Sequence, residues 1–193
     1  MIRKEEITAV ILAGGKSQRM GTDKAFLHWE GQRFIERILQ VVAGLTQEII
    51  VIANTKEYAS LEVPVYPDLM EDCGPVGGIY TAMAMVKTPY LLVLSCDIPL
   101  LNVAVLEYLL EQSISCDANI LTTGERWQPL TAIYNRVTMP IFKKALETKK
   151  LKLRSLLPAM ELNTIACPKD LISCLNNINT PNDLRKLRDG YKN

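Results

Sequence analysis

The loop at residues 12–24, LAGGKSQRMGTDK, combines residue types that bind phosphate groups. Gly14 and Gly15 lack side chains, so their backbone can approach a phosphate chain and direct N–H groups at it. Arg19 and Lys24 follow at fixed offsets and can neutralise a polyphosphate and the charge that develops on a leaving group. The loop matches neither of the common phosphate-binding patterns GxGxxG and GxxxxGK. The alternative interpretation of the loop is a solvated Gly-Gly turn. The complete set of residues favours phosphate-transfer chemistry.

Two aspartates end short segments of the chain, and one of them, Asp97, is a candidate for binding a metal ion. Asp97 follows the run at residues 90–95, and Mg²⁺ is commonly held by one or two carboxylates together with nucleotide phosphates and waters. The alternative for Asp97 is a cap on the next helix. Asp68 ends the short segment VYPD, and together with Glu71 and Asp72 it could form a solvated acidic turn.

These residues need a scaffold, and the hydrophobic pattern predicts one. Residues 7–12, 48–53 and 90–95 are apolar without polar alternation, which is typical of strands buried on both faces of a parallel sheet. Segments of helical periodicity follow them. This alternation predicts an α/β fold, a Rossmann-like three-layer αβα sandwich with a mostly parallel sheet. Ligands bind outside the carboxyl ends of such strands, where Gly14, Asn54 and Asp97 fall.

The second half of the chain is less regular. Residues 118–123 and 128–134 read as strands, with a hairpin at residues 124–127. Residues 139–149 and 151–157 read as helical. A last helix over 181–188 has Thr180 as its N-cap and Pro181 at its first position. With neither a repeat nor a linker-like stretch, the sequence predicts a single domain over residues 1–193.

Composition excludes several classes of protein. The 193 residues are 48% apolar and 22% charged, a composition that does not indicate a disordered chain. The net charge of +1 does not indicate binding to nucleic acid or to an anionic membrane through overall charge. The longest apolar runs are far too short to cross a membrane, and the start of the chain does not resemble a signal peptide. Five cysteines without a CxxC pair fit a cytoplasmic protein. His28, the single histidine, is expected to be structural or exposed, and no Cys/His pair makes Cys96 a nucleophile.

Further motifs lie along the chain in a fixed order: GPVGGI at 74–79, CDIP at 96–99, QPL at 128–130 with Tyr134, and NINTPND at 177–183. With the loop at 12–24, this set resembles the molybdenum cofactor guanylyltransferases. They are a branch of the nucleotidyltransferase superfamily that activates sugars, lipids and cofactors. The resemblance covers nearly the whole chain, and it implies the fold of the nucleotide-diphospho-sugar transferases.

The resemblance also implies roles for particular residues. It implies that the nucleotide is bound by Leu12, Ala13, Gly14, Gly15, Lys24, Asn54, Asp68 and Asp97. For the contact at the end of the second predicted strand, Ile52 is the alternative to Asn54. The implied catalytic residues are Arg19, Lys24 and Asp97, and Asp97 is the implied Mg²⁺ ligand. The implied contacts to molybdopterin are Gln128, Arg154, Asn177 and Asn179.

Three of these regions keep a second interpretation. The turn at 74–79 could bring backbone groups to a purine edge, or it could simply begin a helix. The cationic run at 149–154 could contact the phosphate of a second substrate, or it could be a solvated helix face. Asn177 and Asn179 could face the site, or they could form an Asx turn or a helix cap.

The implied reaction transfers GMP from GTP to the phosphate of Mo-molybdopterin and releases pyrophosphate. A phosphate monoester is already anionic at neutral pH, so the reaction needs no dedicated general base. Residues 1–100 are expected to bind the nucleotide, and residues 101–193 to contribute the molybdopterin side. Transient contacts with other molybdenum cofactor assembly proteins and with acceptor molybdoenzymes are implied.

Three alternatives stay open. The first is a cytidylyltransferase that acts on the same pterin, because backbone groups alone could select the base. The second is a sugar-phosphate nucleotidyltransferase. The third is a non-catalytic nucleotide-binding factor in cofactor assembly.

Overall fold

Seven strands form one sheet in the computed structural model, which describes residues 2–13 and 23–190. The strands in chain order are β1 (Ile7–Leu12), β2 (His28–Trp29), β3 (Gln32–Arg33), β4 (Glu48–Ile52), β5 (Val65–Tyr66), β6 (Tyr90–Ser95), β7 (Ala118–Thr123), β8 (Arg126–Asn135) and β9 (Leu162–Ala166). The order across the sheet is β5-β4-β1-β6-β8-β7-β9, and β2 and β3 pair separately as a short hairpin.

The helices are α1 (Phe34–Val42), α2 (Gly74–Met85), α3 (Val103–Gln112), α4 (Met139–Glu147) and α5 (Pro181–Gly190). They cover both faces of the sheet with separate hydrophobic cores. Ile38 of α1 and Leu106 of α3 pack on one face, and Met83 of α2 and Phe142 of α4 pack on the other. The predicted three-layer αβα sandwich is confirmed.

Strand β1 lies in the middle of the parallel part of the sheet. It pairs in parallel with β4 and β6, and Val10 lies level with Ile50 on one side and Val93 on the other. Helices cover both faces of such a strand, so apolar side chains are favoured at consecutive positions. The three strands predicted from unbroken apolar runs are confirmed.

Strand β8 is the antiparallel member of the sheet and pairs with both β6 and β7. The predicted hairpin is therefore confirmed, with Gly124 at φ +60° in its turn. The antiparallel direction has a consequence for the site. It brings the start of β8 to the same edge of the sheet as the carboxyl ends of β1, β4, β5, β6 and β7.

The structure decides between two interpretations of one segment and differs from the prediction in another. Residues 74–79 are the first turns of helix α2, which makes the interpretation as a helix start correct. Residues 151–157 do not form one helix, and Pro158, which has no backbone N–H to continue a helical hydrogen-bond ladder, stands near the start of a separate turn. Two short 3₁₀ turns stand there instead, Leu153–Ser155 and Leu157–Ala159.

Within residues 2–13 and 23–190, no helix has the length and apolar character needed to cross a bilayer.

Candidate active site

Two neighbouring cavities open at the carboxyl edge of the sheet. The first has a volume of about 360 Å³ and is lined by Leu12, Ala13, Ile52, Asn54, Asp68, Asp72, Gly74, Pro75, Gly78, Ser95 and Leu130. The second has a volume of about 480 Å³ and is lined by Leu100, Thr123, Arg126, Gln128, Ile172, Leu175, Asn176, Asn177, Ile178, Asn179, Asp183, Lys186 and Leu187. The strand ends and the segment before α5 supply most of both linings.

Asn54 and Asp68 form a reciprocal pair in the first cavity. The Asn54 side-chain amide donates to Asp68 Oδ2 at 3.0 Å, and the Asp68 backbone N–H donates to Asn54 Oδ1 at 2.8 Å. Each residue follows one of two adjacent parallel strands, β4 and β5, which explains how residues 14 positions apart meet. The pair fixes the orientation of the Asp68 carboxylate.

The other oxygen of Asp68, Oδ1, is buried and has no hydrogen-bond partner among the described residues. It lies over the start of α2, where a Cβ added to Gly78 would stand 3.6 Å from Oδ1 and 2.9 Å from Leu12 Cδ2. Burial raises the pKa of the Asp68 carboxyl, and the Asn54 hydrogen bond partly opposes that rise. An acceptor buried without a partner has a desolvation cost that a donor from a ligand would remove.

Asp97 lies where the two cavities meet. Ser95, which lines the first cavity, donates to Asp97 Oδ1 at 2.7 Å. Asn177, which lines the second, donates to Asp97 Oδ2 at 3.1 Å. The Ile178 N–H also donates to the Asp97 backbone carbonyl at 2.7 Å, so the segment before α5 is attached directly to this strand end.

The ammonium group of Lys24 points into the same region. Its Nζ lies 3.9 Å from Asp97 Oδ2 and donates to Asn179 Oδ1 at 2.6 Å. The lysine and aspartate side chains are each 18% exposed, so the pair is partly shielded from water while the ammonium can still reach a ligand. A cation beside a carboxylate at a cavity mouth is an arrangement that can bind phosphates directly and through a metal ion.

The segment with Asn177 and Asn179 is held by the start of helix α5. Thr180 Oγ1 accepts from the Asp183 N–H at 3.1 Å, and the Asp183 carboxylate accepts from the backbone N–H groups of Asn179 and Thr180. The predicted N-cap role of Thr180 is therefore confirmed. Because this cap uses Thr180 and Asp183, the side chains of both asparagines remain directed at Asp97 and Lys24.

The second cavity is lined by both apolar and polar side chains. Leu175, Ile178 and Leu187 contribute apolar surface, and Gln128, whose amide donates to Thr123 at 3.0 Å, lines the same cavity as the asparagines. Arg154 does not line either of these cavities, because its guanidinium donates to the Trp127 backbone carbonyl at 2.9 Å.

The structure thus brings together most of the residues singled out by the sequence. Leu12, Ala13, Asn54 and Asp68 line the first cavity, and Lys24 and Asp97 lie at its junction with the second. Ile52 and Asn54, the two alternatives for a nucleotide contact at the end of β4, both line the first cavity. Gly14, Gly15 and Arg19 lie outside the described residues.

Sequence reasoning did not single out Ser95, Arg126 or Lys186. Ser95 was available as the last residue of a predicted strand, two positions before Asp97. Arg126 and Lys186 are cations that line the second cavity, but they are 60 positions apart with no shared motif. Their proximity to one cavity follows from the antiparallel course of β8 and the docking of α5.

The remaining titratable candidates have structural roles. Cys96 is buried, and burial raises the pKa of its thiol to about 12, which disfavours the thiolate needed for nucleophilic attack. His28 is exposed, as predicted. Within the described ranges there is no cluster of three or more His, Cys, Asp or Glu side chains that could hold a metal ion by themselves.

Comparison with known proteins defines the class to which this fold and site belong. Residues 9–164 match the model of an NTP transferase domain, so the chain is a nucleotidyltransferase. More narrowly, the chain belongs to the family of MobA-like NTP transferases. The resemblance drawn from its motifs is confirmed, and for this class of enzyme a divalent metal ion is generally expected.

Two relatives and one solved structure illustrate the match. The chain is 35% identical to the probable molybdenum cofactor guanylyltransferase of Flavobacterium johnsoniae, over 95% of this chain and 97% of that protein. It is 34% identical to the protein of the same name from Carboxydothermus hydrogenoformans, over 95% of each. The fold is shared with the molybdopterin-guanine dinucleotide biosynthesis protein A of Archaeoglobus fulgidus, with a TM-score of 0.81, 24% identity and coverage of 96% and 98%.

Proposed function

We propose that this chain transfers GMP from GTP to the terminal phosphate of Mo-molybdopterin, giving molybdopterin guanine dinucleotide and pyrophosphate. The names of its relatives support this reaction, because the chain matches them over nearly its whole length. The observation that carries the choice of guanine is the Asp68 carboxylate on the wall of the first cavity, whose Oδ1 has no hydrogen-bond partner among the described residues.

Guanine presents two adjacent donors, N1–H and the 2-amino group, and it therefore needs an acceptor in its site. An ionised carboxylate is an acceptor only. Asp68 Oδ2 accepts one hydrogen bond from Asn54 and keeps a further lone pair, and Oδ1 has no partner among the described residues, so this carboxylate on the cavity wall has acceptor capacity for the base. The apolar side chains of Leu12, Ile52 and Leu130 line the same cavity and suit the faces of a planar ring.

In the proposed reaction, an oxygen of the pterin phosphate forms a bond to the α-phosphorus of GTP. The bond from that phosphorus to the bridging oxygen of the β-phosphate breaks in line, and pyrophosphate leaves with the bonding electrons. Lys24 neutralises the phosphates that separate, and Arg19, in the loop outside the described residues, is proposed to do the same. Gly14 and Gly15 are proposed to place their N–H groups on the phosphate chain.

The residues around Asp97 fit an Mg²⁺ ion. Ser95 and Asn177 each donate one hydrogen bond to the carboxylate, which orients it and leaves lone pairs on both oxygens. One carboxylate with nucleotide phosphates and waters is a common donor set for Mg²⁺ in nucleotide enzymes. When bound there, Mg²⁺ supplies Lewis-acid activation and a template for the phosphates. Lys24 lies within reach of the same carboxylate and shares the compensation of negative charge.

The second cavity is proposed to hold the pterin. Its mixture of apolar side chains with amides and with the cations Arg126 and Lys186 suits a planar heterocycle that carries a phosphate. Gln128, Asn177 and Asn179, which line this cavity, are the proposed contacts to the pterin. Arg154, which donates to the Trp127 carbonyl near the start of β8, is a further proposed contact. In this assignment the chain is a single domain, with residues 1–100 mostly on the nucleotide side and residues 101–193 mostly on the pterin side.

We further propose transient contacts with other molybdenum cofactor assembly proteins and with acceptor molybdoenzymes. The cytoplasm is the proposed compartment, because its reducing conditions suit a chain in which all five cysteines are free.

The test measures pyrophosphate release with Mg²⁺ and metal-loaded molybdopterin, comparing GTP, CTP, ATP and UTP. We expect release with GTP, loss of release in Asp97→Ala, and full release in Asp117→Ala. Asp117 is a suitable control because it lies before β7, at the opposite edge of the sheet, where it accepts from the Glu161 N–H. Release with CTP instead of GTP would identify a cytidylyltransferase. GTP binding without release would identify a non-catalytic nucleotide-binding factor.

A further inference from the structure

Asp23 uses both of its carboxylate oxygens to hold the short helical turn that carries Lys24. Oδ1 accepts from the Ala25 N–H at 3.1 Å and caps the 3₁₀ turn Lys24–Phe26. Oδ2 accepts from the Tyr58 hydroxyl at 2.7 Å. The residue directly before Lys24 is therefore attached to a part of the chain 35 positions away.

Tyr58 is a rigid anchor for this attachment. It lies in the 3₁₀ turn Lys56–Ser60 after β4 and is fully buried in the core between the sheet and α1. Its ring also packs on Phe26, with centroids 4.7 Å apart and a tilt of 49°. Tyr58 thus contacts the Lys24 turn at both ends, through Asp23 before the lysine and through Phe26 after it.

The position of Lys24 matters because its ammonium must reach two groups at once. It donates to Asn179 at 2.6 Å and lies 3.9 Å from the Asp97 carboxylate. A lysine side chain is long and flexible, so only a fixed backbone can keep its charge at one place without a large loss of conformational entropy. The hydroxyl of Tyr58 adds nothing to apolar packing, but it supplies the donor that fixes Asp23.

We propose that Tyr58 and Asp23 are positioning residues for the proposed reaction and act through Lys24. The proposal rests on the proposed function in assigning Lys24 to the triphosphate. Tyr58 lines neither of the two cavities described above. The proposal nevertheless gives this residue a role in binding the triphosphate.

The first test is Tyr58→Phe, which keeps the ring and removes the hydroxyl. We expect kcat/KM with GTP to fall about 10- to 100-fold, the scale of loss when a catalytic group is displaced by about an ångström. The matched control is Tyr90→Phe. Tyr90 is buried in the same core, and its hydroxyl bonds Ser115 at 3.0 Å at the opposite end of β6. The control is expected to keep full turnover.

A second measurement separates positioning from stability. The ratio of the Kd for guanosine to the Kd for GTP measures how much the triphosphate contributes to affinity. Its measurement does not require turnover. Tyr58→Phe is expected to lower this ratio about tenfold or more, and Tyr90→Phe to leave it unchanged. In a Lys24→Met background, Tyr58→Phe is expected to cause no further loss, because the residue through which it acts is gone.

The outcomes are distinct. An unchanged ratio in Tyr58→Phe, or an equal further loss in the Lys24→Met background, would overturn the proposal. A ratio that Lys24→Met leaves unchanged would overturn it as well. If the wild type binds GTP and the variants behave as expected but no pyrophosphate is released, the proposed function fails while the positioning role stands.

Discussion

Exchanging Asp68 for Asn tests how the base is read with a change of only one atom type. The Asn54 side-chain amide donates to Oδ2 of residue 68, so the carbonyl oxygen of the new amide must take that place. The new NH₂ group then occupies the buried position of Oδ1. A donor would face the two donors of guanine, and the acceptor on which GTP depends would be lost.

The magnitude follows from the charge of the acceptor. A hydrogen bond to a charged group contributes about 1.5–3 kcal/mol, and about 1.4 kcal/mol corresponds to a factor of ten in affinity. The Kd for GTP should therefore rise roughly 10- to 150-fold in Asp68→Asn. Xanthosine triphosphate has a carbonyl at C2 where GTP has an amino group, so the new NH₂ group should favour it.

Titration calorimetry of GTP, xanthosine triphosphate and CTP with both proteins checks the expectation. Wild type should prefer GTP, and Asp68→Asn should prefer xanthosine triphosphate. Glu71→Gln is the control, because it removes one nearby negative charge from an exposed residue outside both cavities. If Asp68→Asn binds GTP as tightly as wild type and gains nothing for xanthosine triphosphate, Asp68 does not read the base.

Three further outcomes follow from the same site. Protonation of the Asp68 carboxylate removes its free acceptor, so GTP affinity should fall as the pH decreases through the pKa of this group, which burial holds above the ordinary aspartate value. A pH titration of GTP binding to Asp68→Asn should show no such fall. Ser95→Ala removes the 2.7 Å hydrogen bond that orients Asp97, and the apparent Mg²⁺ affinity in the pyrophosphate assay should weaken about tenfold; an unchanged value would show that the bond is dispensable. With a thiol pKa of about 12 and a buried side chain, Cys96 should escape alkylation at pH 8 in the native protein, whereas partly exposed Cys73 should react, as peptide mass mapping would report.

The parts of the site that could be predicted from sequence are those fixed by local structure. Asn54 and Asp97 follow apolar strands directly, and the rule that parallel strands end at one edge of a sheet is enough to bring them together. The contact of Lys24 with Asn179 is different, because it joins residues 155 positions apart. Periodicity carries no information about such a pair, and only the resemblance to a family indicated both residues.

The start of α2 shows why a glycine-rich segment was ambiguous. The pattern GPVGGI allows a turn, and it also allows a helix start with proline in the first turn. The structure gives a physical reason for the glycine at position 77, where a Cβ would stand 2.7 Å from the Cys73 Cβ and 3.2 Å from the Met70 carbonyl oxygen. This glycine therefore serves the close approach of the helix to the loop before it, which the pattern alone does not reveal.

The arrangement around Asp97 links the two halves of the chain. One carboxylate oxygen accepts from Ser95, which ends β6 and lines the first cavity, and the other accepts from Asn177, which lines the second. Lys24 extends this connection, because its ammonium lies near Asp97 and also bonds Asn179. A two-substrate transfer needs the donor phosphate and the acceptor phosphate at one point of compensated charge. A single aspartate held from both cavities meets that requirement with few charged groups, provided that both neighbouring donors stay in place.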